Sequence, residues 1–164
     1  MSNLISNILK REELGTILRK LQKDGKKIVF TNGVFDIVHI GHVDYLRRAR
    51  ELGDVLVVAI NGDESVHRIK GPKRPIIGET DRSFVVANLK SVDYVCIFNE
   101  DTPYETIKLL QPDVLVKGAD WKVEDVVGRD IVEARGGKVV TMKYLDGKST
   151  TNIIKRIVEV MHSG

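Results

Sequence analysis

Apolar positions along this chain follow two rhythms in alternation. Leu14, Ile17, Leu18 and Leu21 fall at i, i+3, i+4 and i+7, the stripe of an amphipathic helix, and Asp24-Gly25 marks its stop. Residues 27–30 then read as a short buried strand, and Val43, Leu46 and Ala49 return to helical spacing ahead of Gly53. The run 55–60 is apolar throughout, as expected of a strand covered by helices on both faces. A short helix over 64–69, a loop over 70–78 holding two of the four prolines, and a helix over 80–92 come next. Residues 94–98, 113–117 and 138–142 predict three further strands. They are separated by a helix over 103–110, with Pro103 near its first turn, and by one ending at Arg135-Gly136-Gly137. The last helix starts near Ser149, a favoured N-cap, and carries Ile153, Ile154, Ile157, Val158 and Met161. Strands alternating with helices predict a parallel α/β sheet with right-handed crossovers.

The polar chemistry gathers between the first strand and its helix, in Thr31-Asn32-Gly33-Val34-Phe35-Asp36-Ile37-Val38-His39-Ile40-Gly41-His42. Gly33 and Gly41 let a backbone or a phosphate approach where a Cβ would intrude. His39 and His42 enter the first turn of the helix, whose backbone N–H groups and dipole favour an anion. The stretch reads as a phosphate site with its own acid or electrophile. A zinc pair is the competing reading, but no third Cys, His or carboxylate stands at a ligand spacing.

Composition narrows the setting. The chain has 164 residues, 42% of them apolar and 30% charged, which suits one ordinary globular domain. A net charge of +3 gives no basic face of the kind nucleic acid needs. The one cysteine, Cys96, lies in an apolar run and is expected to pack as a small hydrophobe. No membrane span and no signal leader are expected, so a reducing cytoplasm is the default.

His39-Ile40-Gly41-His42 after Gly33-Val34-Phe35-Asp36 resembles the HxGH signature of the nucleotidyltransferase superfamily of cytidylyltransferases, adenylyltransferases and class I tRNA synthetases. Asn61-Gly62-Asp63, Lys70-Gly71-Pro72, Asp81-Arg82, Val116-Lys117-Gly118-Ala119-Asp120 and Gly147-Lys148-Ser149-Thr150-Thr151-Asn152-Ile153-Ile154 follow in that order. Together they resemble the ADP-heptose synthase family (D-glycero-β-D-manno-heptose 1-phosphate adenylyltransferases), from about Gly25 to the C-terminus. The resemblance implies a Rossmann-like, doubly wound five-stranded parallel sheet in order 3-2-1-4-5 with helices on both faces. Residues 1–24 would form an N-terminal helix packing on a single nucleotidyltransferase domain of 25–164. It also implies that ATP and the heptose 1-phosphate give ADP-heptose and pyrophosphate, feeding lipopolysaccharide or another surface glycan. Mg²⁺ would be bound through the ATP phosphates with no metal ligand from the protein. The expected partners are ATP and an anionic sugar phosphate within a homodimer, without nucleic acid or membrane. Some relatives carry a fused sugar kinase, which is not expected at this length.

Carried onto this sequence, the resemblance makes His39, His42, Lys70 and Lys117 the catalytic set. It places ATP against Thr31, Asn32, Gly33, Phe35, Gly41, His42, Asn61, Asp63, Arg82, Gly118, Asp120, Ser149, Thr150 and Thr151. Lys117 has support of its own, since a lysine ending an apolar strand is costly unless it meets an anion. Plainer readings stand beside several of these. Ser149 suits helix capping alone, and Lys73 and Arg74 suit a solvated basic loop. A P-loop reading of Gly147-Lys148-Ser149 fails because Met142 stands where that motif needs glycine. In related glycerol-phosphate cytidylyltransferases an arginine precedes the Ser-Thr-Thr; here that stretch is Tyr144-Leu145-Asp146, leaving Lys148 as one candidate cation. Trp121 suits stacking or packing equally. Two other functions fit the pattern less well: a cytidylyltransferase for glycerol 3-phosphate or another polyol phosphate, and a non-catalytic nucleotide-binding regulator.

Overall fold

The computed structural model describes residues 7–162. Residues 1–6, part of the expected N-terminal segment and of the stretch read for a leader, lie outside the described residues, as do 163–164. Five strands, β1 (Ile28–Gly33), β2 (Val55–Asn61), β3 (Tyr94–Phe98), β4 (Val114–Gly118) and β5 (Lys138–Met142), pair in the order β3-β2-β1-β4-β5. Every pairing is parallel, from Ile28 opposite Val55 on one side of β1 to Val29 opposite Val114 on the other. The expected strand order is therefore observed, with its reversal between β1 and β4.

Period-two alternation divides the core in two. Ile28 and Phe30 face α1 (Arg11–Lys23) and α5 (Tyr104–Leu110), packing with Leu14, Leu18, Ile107 and Leu110. Val29 and the alternate residues of β2, Leu56, Val58 and Ile60, face α2 (Ile40–Arg50) and α4 (Glu79–Ala87), packing with Tyr45, Leu46, Ala49 and Val86. The remaining helices are α3 (Asp63–Lys70), α6 (Arg129–Ala134) and α7 (Thr150–His162). Burial on both faces is why β2 carries no polar residue before Asn61.

Three expectations are revised. β1 runs to Gly33, three residues past the expected 27–30, because its backbone stays paired with β2 as far as Gly33 opposite Ile60, while the Thr31 hydroxyl donates to the Val116 carbonyl at 3.0 Å. α4 stops at Ala87 instead of 92, where the Asn88 amide turns back to the Phe84 carbonyl at 2.8 Å and ends the helix. Residues 7–9 form a bridge to β3, with Leu9 N–H donating to the Val95 carbonyl at 2.9 Å. That contact covers an otherwise open sheet edge, and is too short to leave a sequence period. The far half of α7 leaves the body of the protein, so that Ile157, Val158, Val160 and Met161 are all at least half exposed. Among the described residues no helix is long and apolar enough to cross a membrane.

Candidate active site

The carboxyl ends of β1 and β4 open onto a cavity of about 480 Å³. It is lined by Asn32, Gly33 and Asn61 from one side, and by Lys117, Gly118, Asp120 and Trp121 from the other. A crevice at the strand reversal is where such sheets bind ligands. A second cavity of about 280 Å³ adjoins it, sharing Gly33, Lys70 and Tyr144 and adding His42, Thr150 and Thr151. The polar side chains of this smaller space are mostly donors, from His42, Lys70, Arg74, Thr150 and Thr151, beside the Asp36 carboxylate.

The HxGH spacing has a local cause. His39 caps α2: its Nδ1 accepts the Gly41 N–H at 3.1 Å. Three residues on, His42 answers, its Nδ1 accepting the His39 N–H at 3.3 Å. This reciprocal arrangement is a capping box built from two imidazoles. Gly41 must be glycine, because a Cβ there would lie 2.9 Å from His39 Cε1 and 3.2 Å from Lys148 Cβ. The rings end 3.9 Å apart, with Phe35 5.2 Å from His42. Phe35 itself sits at φ 49°, a left-handed conformation costly for a bulky side chain and typical of functional turns.

Since each Nδ1 accepts, a neutral ring must carry its proton on Nε2, which remains available as a donor. Burial, reinforced by the neighbouring His39, lowers His42 to about 4, so at neutral pH it is uncharged. His39 is also lowered, by burial and then by Lys148. The two rings serve different spaces: His42 lines the 280 Å³ cavity, whereas His39 lines a neighbouring one with Lys148 and Ser149.

Lys117 reaches across the strand reversal and donates to Asn32 Oδ1 at 2.9 Å, with Nζ 5.8 Å from the Trp121 ring centroid. Burial brings it down to about 8, partly offset by Asp120. It is the lysine whose position at a strand end already demanded an anion. Gly118 has no room for a side chain, since a Cβ would meet Asp120 Oδ1 at 2.5 Å and Tyr144 Cε2 at 2.8 Å.

Several other expected ATP contacts are engaged within the protein, and of these only Thr150 also lines a cavity of the crevice. Thr31 is fully buried, and because its hydroxyl donates to Val116, Tyr45 must donate to it, at 3.0 Å. Arg82 is 1% exposed and lines neither cavity. Its guanidinium donates to the Ile77 carbonyl at 2.8 Å, the Val34 carbonyl at 2.5 Å and Asp63 Oδ1 at 2.7 Å. Arg82 and Asp63 thus hold the loop over 71–78 against the central turn, and neither reaches the crevice. Ser149 accepts the Asn152 N–H at 3.1 Å, the capping role, while Thr150 donates to the Ile37 carbonyl at 3.3 Å and so pins α7 to the histidine turn.

Four site residues carried no functional signal in the sequence: Tyr144, Asp101, Thr102 and Pro103. Tyr144 stacks on Tyr45 at 4.5 Å and 17° and borders both cavities. Its position just past β5, at the sheet's carboxyl edge, was the one available clue. Asp101, Thr102 and Pro103 close the far wall of the larger cavity. Among the described residues no group of three or more His, Cys, Asp or Glu could hold a metal ion.

The family profile described as cytidylyltransferase-like matches residues 30–156. The chain is 51% identical over 159 residues to the bifunctional protein HldE of Syntrophotalea carbinolica, covering 97% of this chain and 32% of that protein. It is 54% identical over 158 residues to the bifunctional protein HldE of Aliarcobacter butzleri, covering 96% and 32% respectively. The chain therefore spans about a third of the length of these curated relatives. Among solved structures, the lipopolysaccharide core biosynthesis protein from Thermoplasma volcanium matches with TM-score 0.64 and 34% identity, over 74% of this chain and 100% of that one. The pantoate-β-alanine ligase from Francisella tularensis matches with TM-score 0.61 at 15% identity, over 95% of this chain and 79% of that one, a likeness of fold alone.

Proposed function

The chain belongs to the cytidylyltransferase-like family, and from that premise we propose that it is a sugar-phosphate adenylyltransferase joining ATP to D-glycero-β-D-manno-heptose 1-phosphate. The observation that carries this is the convergence of His42, Lys70, Lys117 and Thr150 on two adjoining cavities at the strand reversal. Identity above half to the bifunctional HldE proteins, and the likeness to a lipopolysaccharide core biosynthesis protein, support the sugar-phosphate assignment.

In this reading the larger cavity takes the nucleoside, with Asp120 accepting from ribose hydroxyls and Trp121 beside the base. Its volume lies in the ordinary range for a small-molecule site. The phosphate chain lies toward His42. An oxygen of the sugar phosphate attacks the α-phosphorus in line, a new P–O bond forms, and the bond to the β-phosphate oxygen breaks, releasing pyrophosphate. Neutral His42 donates from Nε2 to the charge that grows on the phosphates, and Lys117 and Lys70 add fixed positive charge. His39 aligns the helix start and approaches the site together with Lys148. The donor-rich smaller cavity fits phosphate oxygens and, among the described residues, offers no carboxylate set for a bare cation, so Mg²⁺ would be held by the ATP phosphates and would neutralise part of their charge.

We further propose that the protein works in the cytoplasm as a homodimer, and that the N-terminal segment, over its described residues 7–24, packs on the domain of 25–164. Pyrophosphate release from ATP and from CTP, each with the heptose 1-phosphate and with glycerol 3-phosphate, tests the function. Release only with ATP and the heptose phosphate is expected. Preference for CTP with glycerol 3-phosphate would replace this reading by the polyol cytidylyltransferase, and release with no pair would leave a nucleotide-binding regulator.

A further inference from the structure

Asp36, in the central turn, holds a buried carboxylate whose side chain is fully shielded from solvent. It accepts the Ile76 N–H at 2.9 Å, the Ile77 N–H at 2.9 Å and Nε–H of Arg74. Burial by itself would raise this carboxyl, yet the two N–H groups and Arg74 hold it below the usual range. All three donors come from the loop over 71–78. The carboxylate therefore ties that loop to the turn that carries His42.

The two arginines of this region are used in opposite ways. Arg82 has every nitrogen position engaged by protein oxygens. Arg74 has only Nε engaged, and among the described residues its two terminal nitrogens have no hydrogen-bond partner. Arg74 also lines the 280 Å³ cavity beside His42, Lys70 and Thr150. A guanidinium fixed at Nε and open at its terminal fork is well shaped for two parallel bonds to a phosphate. Lysine has one nitrogen and cannot meet Asp36 and also present a fork.

We propose that Arg74 is a phosphate-binding residue of this site and that Asp36 is the positioning residue that aims it. This rests on the nucleotidyl-transfer reading of the cavity and supplies the cation that Tyr144-Leu145-Asp146 does not. Both co-substrates carry phosphate, and separate titrations tell which one Arg74 meets.

The test uses the full chain and calorimetric titration with ATP, heptose 1-phosphate and inorganic tripolyphosphate. Arg74→Ala should weaken one of the two substrates by roughly 10–100-fold, the scale of a charged bidentate contact. A concurrent loss for tripolyphosphate indicates the ATP chain; loss confined to the heptose phosphate indicates the acceptor. Arg74→Lys should recover only a small part. Asp36→Asn should cause a comparable loss in the parent but add little in the Arg74→Ala background, because both changes remove one aimed fork. Thermal melts check folding, and should Asp36→Asn fail to fold, the two Arg74 variants still decide. Unchanged binding of all three ligands by Arg74→Ala overturns the proposal, and full recovery by Arg74→Lys overturns the fork geometry. Independent losses from Asp36 and Arg74 overturn the positioning role. If Arg74→Ala loses binding while the parent releases no pyrophosphate from any pair, this inference stands and the function falls. A parent that turns over, with Arg74→Ala matching it, gives the reverse.

Discussion

At His42 the nitrogen that faces its own helix is already taken, and that decides how the residue acts. With Nδ1 accepting the His39 N–H, only Nε2 is left to address a phosphate. A donor of this kind matters most where charge develops, in the transition state. His42→Ala should lower kcat by roughly 10²–10³-fold while ATP affinity changes much less. Steady-state kinetics with an ATP titration and a melt check this; a folded variant within a few-fold of the parent would end the assignment. The ring should also stay neutral through the pH range where histidine ordinarily titrates. Its folded value near 4 lies below the unfolded value near 6.5, so the unfolded chain binds the proton first as pH falls. Stability linked to His42 is thus complete above about 6.5 and diminishes between there and about 4. NMR titration of the ring should show its midpoint near 4, and a midpoint near 6.5 would contradict the buried neutral form. Lys117 behaves oppositely at the alkaline end. With its value near 8 in the free protein, kcat/KM should fall as pH rises through 8, and Lys117→Met should remove that limb and most of the rate.

The loop over 71–78 acts as an element although it has no regular secondary structure. Arg82 clasps its far end and Asp36 its middle, so the loop is held by two buried charges. Replacing Arg82 with methionine fills a similar volume but unpairs Asp63 and strands two carbonyls. The expected loss is roughly 2 kcal/mol, since the two carbonyls lose a charged donor while Asp63, whose side chain is 36% exposed, keeps water. Denaturant unfolding measures it; a loss under about 0.5 kcal/mol would show that solvent replaces those bonds. Acid should free the loop before the fold is lost. The Asp36 carboxyl is depressed, so its stabilising contribution is present above the ordinary carboxylate range near 4 and disappears as pH falls through its lower folded value. Amide exchange at Ile76 and Ile77 should accelerate there ahead of β1 and β2.

At the scale of the whole molecule, α7 shows an apolar stripe that the described residues do not cover. An isolated helix of 13 residues is marginal in water, and Ile157 and Met161 are exposed along it. A second copy packing on this stripe accounts for both facts within the proposed homodimer. Light scattering at micromolar concentration should give twice the chain mass, and Ile157→Glu should return it to the monomer. A monomeric parent would remove the homodimer from the proposal.

What the sequence determined by itself follows from local physics. Apolar runs and the 3.6 period are local, so the five strands and the core face of α1 could be read directly, whereas on α2 the expected Val43 is exposed and Tyr45 takes its place in the core beside Leu46 and Ala49. The HxGH turn was legible because a capping box needs only neighbours, and Lys117 was legible because a strand end exposes the cost of a lone charge. Other features depended on residues distant in the chain. Arg82 and Arg74 look alike as letters, and only the fold brings Val34, Ile77 and Asp63 around one and leaves the other's fork facing a cavity. Tyr144 became a wall of the site because β5 lies beside β4, which delivers it onto Tyr45. Thr31 proved to be a core residue for the same reason: the Val116 carbonyl that accepts its hydrogen bond lies 85 residues away. Hydrogen-bond partners at that separation leave no period in the chain, and only tertiary structure assigns them.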